Sequence, residues 1–238
     1  MGRAFEFRKE RKMKRWASMA KAFTKIGREI AIAVKEGGGD PNYNPRLRLA
    51  MSNAKSANMP KANVEAAIKR ALSKDAANYD EVVYEGYGPN GIAVMVETAT
   101  DNTNRTVANM RLIFSKGGGN LGNSGEVDYM FNRIGQFKIK AEGQDAEELE
   151  LELIDHGLED LRQEEDLLVL DCGFEDFGNM QKALEERNIE VDNAELVRVP
   201  THTKKLDDEE AEAMIKLIDK LEEDDDVANV FHNMDMDE

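Results

Sequence analysis

The glycines from Gly117 to Gly125, in the run GGGNLGNSG, are the first candidates for chemistry, because glycine-rich loops can cradle phosphates with their backbone amides. A phosphate loop of this kind follows a strand, opens a helix and ends in Lys followed by Ser or Thr. Here the predicted order is helix, glycine run and strand, and that ending is missing. The pattern favours a tight helix-to-strand turn, and a nucleotide-binding enzyme is the weakest of the functional alternatives.

The other reactive side chains do not indicate catalysis. His156, His202 and His232 are far apart and lack the spacing of zinc ligands. The single cysteine, Cys172, lies in the apolar run DLLVLDCGF, which predicts a buried thiol. Acidic runs such as DDEE and EEDDD are typical of helix termini or solvated edges. The sequence therefore predicts no catalytic residue, no metal site and no cofactor.

The lysines and arginines provide the clearest signal, because they are concentrated at one end of the chain. Residues 1–75 contain 18 Lys and Arg against 7 Asp and Glu, a net charge of +11. Residues 76–238 contain 14 Lys and Arg against 41 Asp and Glu, a net charge of −27. The net charge of the whole chain, −16, does not show that the two signs are separated along the sequence. Such a field attracts a polyanion to one end and repels it from the other. A nucleic-acid phosphate backbone is the predicted partner.

Three amphipathic helices are predicted to position these cations. Apolar residues at spacings of three and four predict a helix over 16–35 with one buried face. Asn44 can cap and Pro45 can start a second helix, and Pro60 can start a third. The cationic faces between the apolar stripes are predicted to face solvent and contact phosphates. The candidate contacts are Arg3, Arg8, Lys9, Arg11, Lys12, Lys14 and Arg15 in the tail, and Lys21, Lys25, Arg28, Lys35, Arg46, Arg48, Lys55, Lys61, Lys69 and Arg70 in the helices.

The rest of the chain alternates strands and helices. A hairpin with Pro89, Asn90 and Gly91 at its tip is followed by a helix and by a strand in GEVDYMF. From Gly135 the order is strand, helix, strand, strand, helix, strand, which is typical of a ferredoxin-like fold. A final helix and strand can complete the sheet that begins at Asp80.

These patterns predict a multi-domain α+β protein, in which an N-terminal three-helix bundle precedes two ferredoxin-like α/β domains, one inserted in the other. The expected domains are 1–78, 79–132 plus 200–238, and the inserted 133–199. No apolar run approaches the length that crosses a bilayer, so we expect a cytoplasmic protein without membrane contact.

Three long strings carry a family resemblance: EGGGDPNYNPRLRLAMSNAKSANMPKANVEAAIKRA, YEGYGPNGIAVMVETATDNTNRT and FSKGGGNLGNSGEVDYMF. They resemble the YebC/PmpR family of gene-expression regulators. The resemblance implies three domains around a cleft and a DNA-binding transcriptional regulator that is not an enzyme. Because some members act in translation, a ribosome- or RNA-associated factor that relieves stalled translation is the alternative. DNA and ribosomal RNA both suit the basic end.

A second partner surface is predicted on the acidic part. Asn102, Asn104 and Arg105 have polar side chains beyond what one helix cap requires, although satisfying backbone donors is an equally weighted alternative. We expect segments 84–91, 101–105 and 117–125 to lie near one another, since each sits at the end of a strand or helix. Such loops carry partner contacts, and a basic protein of the transcription or translation machinery is the expected partner.

Overall fold

The computed structural model describes residues 19–236. Its N-terminal part is a bundle of α1 (Met19–Gly37), α2 (Pro45–Ser56) and α3 (Lys61–Ala71). The second helix begins as predicted, because the Asn44 side chain accepts a hydrogen bond from the Leu47 amide and Pro45 occupies the first turn. One core joins the three apolar faces: Ile26, Ile30, Ala33, Val34, Leu47, Ala50, Ala54, Val64 and Ala71. We call residues 19–71 the bundle.

Residues 80–236 form a body of two antiparallel sheets. In chain order, its elements are β1 (Asp80–Tyr87), β2 (Ala93–Thr100), α4 (Thr103–Lys116), β3 (Asn120–Leu121), β4 (Phe131–Lys140), α5 (Ala146–Leu153), β5 (Leu158–Glu164), β6 (Leu167–Gly173), α6 (Phe177–Glu186), β7 (Val191–Pro200), α7 (Asp208–Glu223) and β8 (Val227–His232). The protein is thus a mixed α+β protein with N-terminal helices, as predicted.

The first sheet has the strand order β3-β1-β2-β8. The predicted hairpin turn is present, because Pro89–Gly91 form one turn of 3-10 helix between β1 and β2. Helices α4 and α7 pack on one face, where Met110, Phe114 and Ile218 are fully buried. As expected, the final strand completes the sheet that begins at Asp80. The element order here, with two consecutive strands first, differs from the ferredoxin-like order predicted for this part.

The second sheet has the strand order β5-β6-β4-β7 and uses only residues 131–200. Its elements follow one another as strand, helix, strand, strand, helix, strand. Helices α5 and α6 cover one face, and the rings of Phe137 and Phe177 stack there with centroids 4.7 Å apart. Because β8 follows this segment in the chain yet joins the first sheet, the second sheet interrupts the first in sequence.

The prediction of a strand in GEVDYMF is wrong. Asp128–Met130 form one turn of 3-10 helix, and a single strand, β4, starts at Phe131 in the second sheet. The physical reason is the buried Glu85 carboxylate, which accepts hydrogen bonds from the amides of Gly125, Val127 and Asp128 at 2.7–2.9 Å. Amides bound to a side chain cannot pair with a neighbouring strand. The two-residue strand β3 was not predicted.

Candidate nucleic-acid interface

Apart from Lys35, the predicted phosphate-binding cations of the described bundle fall into two sets. Six reach the body, and we call them the inward cations: Lys21, Lys25, Arg28, Arg46, Arg48 and Lys55. Three others lie on α3, away from these contacts: Lys61, Lys69 and Arg70. Together with Lys74, which follows α3 and is not among the predicted contacts, we call them the outward cations. The predicted tail contacts lie outside the described residues: Arg3, Arg8, Lys9, Arg11, Lys12, Lys14 and Arg15.

Three inward cations of α1 follow one another at helical spacing and bind oxygens of the first sheet unit. Lys21 Nζ donates to the Glu223 carbonyl at 3.0 Å, and Lys25 Nζ donates to the Ala228 carbonyl at 3.2 Å. Arg28 Nη1 donates to the carbonyl oxygen of Ala99 at 2.7 Å and also pairs with Asp226. The cationic face of α1 therefore lies against the body.

The inward cations of α2 pair with carboxylates of the body. Arg46 contacts Glu81 at 2.6 Å, and Arg48 Nε lies 3.6 Å from the Glu185 carboxylate. Lys55 pairs with Glu190, just before β7. In all three pairs both side chains are more than one-third exposed.

The predicted solvent face with few acids nearby is wrong in part for the six inward cations. The three on α1 lie partly buried against the body, and the three on α2 each face a carboxylate of the body. The apolar spacing correctly places them on the polar side of each helix. That spacing cannot reveal that the polar side packs on a second unit of the same chain.

Asp226 is the centre of the contact between α1 and the body, and nothing in the sequence indicates its burial. Arg28 and Arg105 donate to its two carboxylate oxygens at 2.9 and 2.8 Å, and the hydroxyls of Thr100 and Thr106 donate at 3.1 and 2.8 Å. Burial opposes ionisation of this carboxyl, but the hydrogen bonds hold the pKa of Asp226 below its ordinary value. The acidic run EEDDD, predicted to mark a helix end or solvated edge, thus ends in a buried anion.

Three of the four outward cations have no ion-pair partner in the described part of the chain. Lys69, Arg70 and Lys74 are exposed and form no ion pair with any residue in 19–236. Lys61 lies 3.8 Å from Glu65, and both side chains are more than half exposed, so the pairing is weak. Lys35 is also exposed and donates to the Asn78 side chain at 2.9 Å. The free cationic surface of the described bundle is therefore centred on α3.

A cleft of about 580 Å³ lies where the bundle meets both sheets. It is lined by α1 and α2 on one side and by strands of both sheets on the other. Its carboxylates include Glu29 of α1, Glu97 of β2 and Glu195 of β7. Burial of the Glu29 carboxyl, together with the negative charge of Glu195, raises its pKa from 4.5 to about 7, against the opposing effect of Arg46. The cleft thus holds a carboxyl group that changes charge near neutral pH.

Two of the three predicted partner residues, Asn102 and Arg105, make contacts within the body. Asn102 is the N-cap of α4, where its side chain accepts from the Arg105 amide. The Arg105 guanidinium is occupied by Asp101 and Asp226, both at 2.8 Å. Asn104 is exposed on the first turn of α4. The geometry favours the alternative in which Asn102 satisfies backbone donors.

The prediction that segments 84–91, 101–105 and 117–125 lie near one another is correct for two of the three. Segments 84–91 and 117–125 are neighbours, because β3 pairs with Gly86 and Tyr87 of β1. Segment 101–105 lies elsewhere, since Thr100 pairs with Asp80 at the opposite end of β1. The 14 residues of α4 separate it from Gly117 by roughly 20 Å.

The glycine run is a turn with no phosphate cradle. Gly125 has a φ of +84°, and its amide, like those of Val127 and Asp128, is occupied by Glu85. A phosphate would need these donors free and would meet a buried carboxylate. The alternative of a nucleotide site therefore has no support in this loop.

Residues 19–236 also show no metal-binding cluster and no membrane-spanning helix. This part of the chain contains no group of three or more His, Cys, Asp or Glu side chains able to hold a metal ion. None of its helices combines the length and the apolar character needed to cross a membrane. Cys172 is fully buried, as predicted, and burial raises the pKa of its thiol to about 12, with the charge of Asp176 adding to the effect.

Comparisons with known proteins cover nearly the whole chain. The model of the TACO1/YebC protein N-terminal domain matches residues 3–74, and the model of the TACO1/YebC second and third domain matches residues 79–234. A "Probable transcriptional regulatory protein" of Parabacteroides distasonis is 56% identical over 100% of this chain and 98% of its own. One of Flavobacterium johnsoniae is 55% identical over 98% and 99%. The crystal structure of a conserved hypothetical protein from Aquifex aeolicus has a TM-score of 0.80 at 41% identity, covering 92% of this chain and 91% of that one.

Proposed function

Because this chain belongs to the TACO1/YebC family, we propose that it is a DNA-binding regulator of transcription that holds the phosphate backbone with its N-terminal bundle. Relatives in this family are named probable transcriptional regulatory proteins, which supports a regulatory role rather than catalysis. The observation that carries the proposal is the unneutralised cationic surface of α3 on a bundle attached to an acidic body. The cytoplasm is the corresponding location.

Backbone contact is the mode that this surface fits best. Lys69 and Arg70 lie exposed in the last turn of α3, and the exposed Lys74 follows shortly after the helix. Such side chains neutralise phosphates and release counterions, which provides affinity without reading sequence. The body, with its large excess of carboxylates, repels the duplex and orients the protein on it.

We also propose a three-domain division of the chain at 1–78, 79–132 plus 200–238, and 133–199. The strand order of the second sheet and its two covering helices support a ferredoxin-like fold for the inserted part. The first sheet unit, which the chain enters and leaves around this insertion, is a different α/β arrangement.

The test is a charge reversal on α3 with a matched control. Lys69→Glu with Arg70→Glu should weaken binding to duplexes of any sequence and make the slope of log K against log salt shallower by about 2. Arg111→Glu with Lys116→Glu changes the same charge on exposed positions of α4 and should leave that slope unchanged. Fluorescence anisotropy with a short labelled duplex measures both.

Two results would contradict the proposal. Equal losses in the two double variants would mean that net charge, and not α3, governs binding. A structured ribosomal RNA that competes far better than duplex DNA would exclude DNA as the ligand and favour the translation factor.

A further inference from the structure

We propose that the inward cations form a second phosphate-binding face that the body conceals, and that this face becomes available when the bundle swings away. This inference rests on the proposed function, since it concerns the regulation of the same basic bundle. In the closed arrangement, carbonyl and carboxylate oxygens of the body occupy the donors that phosphate oxygens would otherwise take.

The row on α1 has the chemistry and spacing of a phosphate-binding surface. Lys21, Lys25 and Arg28 span about 10 Å along the helix, close to the rise of three nucleotides on one strand of duplex DNA. Each cation already binds an oxygen at 2.7–3.2 Å, as it would bind a phosphate. The oxygens that accept from Lys21 and Lys25 belong to neutral carbonyl groups, whereas a phosphate oxygen carries a negative charge and accepts more strongly.

Separation of the bundle would leave no uncompensated charge at Asp226. This carboxylate would lose Arg28 but would keep Arg105, Thr100 and Thr106, which all donate to its other oxygen. A buried anion is costly when it loses its last partner. Asp226 keeps three donors, so its separation from Arg28 does not carry that cost. Arg28 itself would move to solvent or to a phosphate.

The contacts of α2 are also easily exchanged. The Arg46–Glu81, Arg48–Glu185 and Lys55–Glu190 pairs are all at least one-third exposed on both sides. Exposed pairs of this kind contribute little to stability individually, because water solvates the separated ions well. A dense array of phosphates can therefore compete with them.

The remainder of the interface between α2 and the second sheet is largely polar. Ser52 and Asn53 of α2 bind backbone groups of β7, and Leu49 is the bundle side chain that packs against the core of the second sheet. The bundle has its own separate core, and the 580 Å³ cleft opens at the junction. Interfaces between domains of this character permit relative motion.

One covalent connection joins the two parts among the described residues. Residues 72–79 link α3 to β1 and, apart from a turn near Ser73, contain no regular element. Such a segment can act as a hinge because only a few backbone dihedrals need to change. The segment 72–79 contains Lys74 and directly follows α3, which carries the other outward cations. Contact of α3 with a duplex would therefore begin next to the hinge.

A tether across the interface tests the proposal on the full chain. Lys55→Cys with Glu190→Cys places two thiols at exposed partners, and Cys172 stays unreactive because it is buried. The double variant is treated either with a short bis-maleimide, which joins the bundle to the body, or with N-ethylmaleimide, which blocks the same thiols. We expect the tethered form to bind a short duplex about fivefold or more weakly and with a shallower salt slope.

A second pair of variants removes the carboxylates without a tether. Glu81→Gln with Glu190→Gln removes the body's carboxylates from Arg46 and Lys55, while Arg46 keeps its pair with Glu36 of α1 at 2.8 Å, and should tighten duplex binding severalfold. Glu142→Gln with Glu150→Gln removes the same charge from exposed positions without cationic partners among residues 19–236, so it reports only the loss of long-range repulsion. If the concealed face exists, the first double variant must gain more duplex affinity over wild type than the second does. An equal gain in both would contradict it.

The outcomes separate the two hypotheses. Equal affinity of the tethered and blocked proteins, at measurable binding, overturns the concealed face and leaves the proposed function intact. If neither protein binds duplex DNA or ribosomal RNA at low salt, the proposed function fails and the concealed face fails with it.

Discussion

Glu29→Gln should stabilise the protein increasingly as the pH rises from 5 to 8. The Glu29 carboxyl of α1 is partly buried in the cleft at the junction of the bundle and both sheets. Burial first, and the nearby charge of Glu195 second, raise its pKa from 4.5 to about 7 in the folded protein. The glutamine side chain has nearly the same shape as the protonated carboxyl group, but it does not titrate between pH 5 and pH 8.

The sign of the effect follows from proton uptake. Between pH 4.5 and 7 the folded protein holds a proton on Glu29 that the unfolded chain has released, so wild-type stability falls as the pH rises through this window. The corresponding cost is about 1 kcal/mol at pH 5 and about 3 kcal/mol at pH 8. The variant escapes this cost, and for a chain of this length its thermal midpoint should exceed the wild-type midpoint by roughly 6–12 °C at pH 8.

The assay is thermal unfolding followed by far-UV circular dichroism at pH 5, 6, 7 and 8. Glu142→Gln, at an exposed position in the turn before α5, is the matched control and should follow wild type at every pH. A Glu29→Gln advantage that stays constant from pH 5 to pH 8 would refute the reasoning, because it would mean that the pKa of Glu29 is not raised.

Three other perturbations test the packing that positions the cations. Asp226→Asn removes the carboxylate shared by Arg28 and Arg105 and should lower the free energy of unfolding by about 3 kcal/mol in urea titrations; an unchanged midpoint would contradict its central place. Asn102→Ala should cost about 1 kcal/mol through loss of the α4 cap, whereas Asn104→Ala should cost nothing measurable, and equal costs would contradict the assigned cap. Cys172 should react with a thiol reagent only as fast as the protein unfolds, and rapid labelling of the native protein would show that the thiol is accessible.

Local patterns predict the elements of this protein well, because each helix and strand carries its own apolar period. The second helix of the bundle starts at Pro45 with Asn44 as its cap, and the hairpin turns at Pro89–Gly91. Asp207 caps α7 with Glu210, which agrees with reading the run DDEE as a helix terminus. These features depend on neighbours in sequence, so the sequence alone is enough to predict them.

The contacts between the bundle and the body could not be predicted from the sequence. Helical spacing shows that Lys25 and Arg28 lie on a polar face, but the partner of that face is about 200 residues away along the chain. The same limit hides Asp226 within an acidic run and Glu85 under the glycine loop. In each case the sequence suggests a solvated polar group, but its hydrogen-bond partners come from a distant segment of the chain. Only the folded structure reveals those partners.

The salt dependence of duplex binding by the full chain tests the central claim most directly. If the bundle holds about five to eight phosphates, log K should fall linearly with log salt with a slope of roughly −4 to −7 between about 50 and 200 mM salt. On the proposed mode of binding, the tail and outward cations would provide these contacts at first encounter, and the inward cations would add to them once the bundle has opened. An affinity that does not change with salt would contradict the claim that this family member binds nucleic acid through its basic bundle.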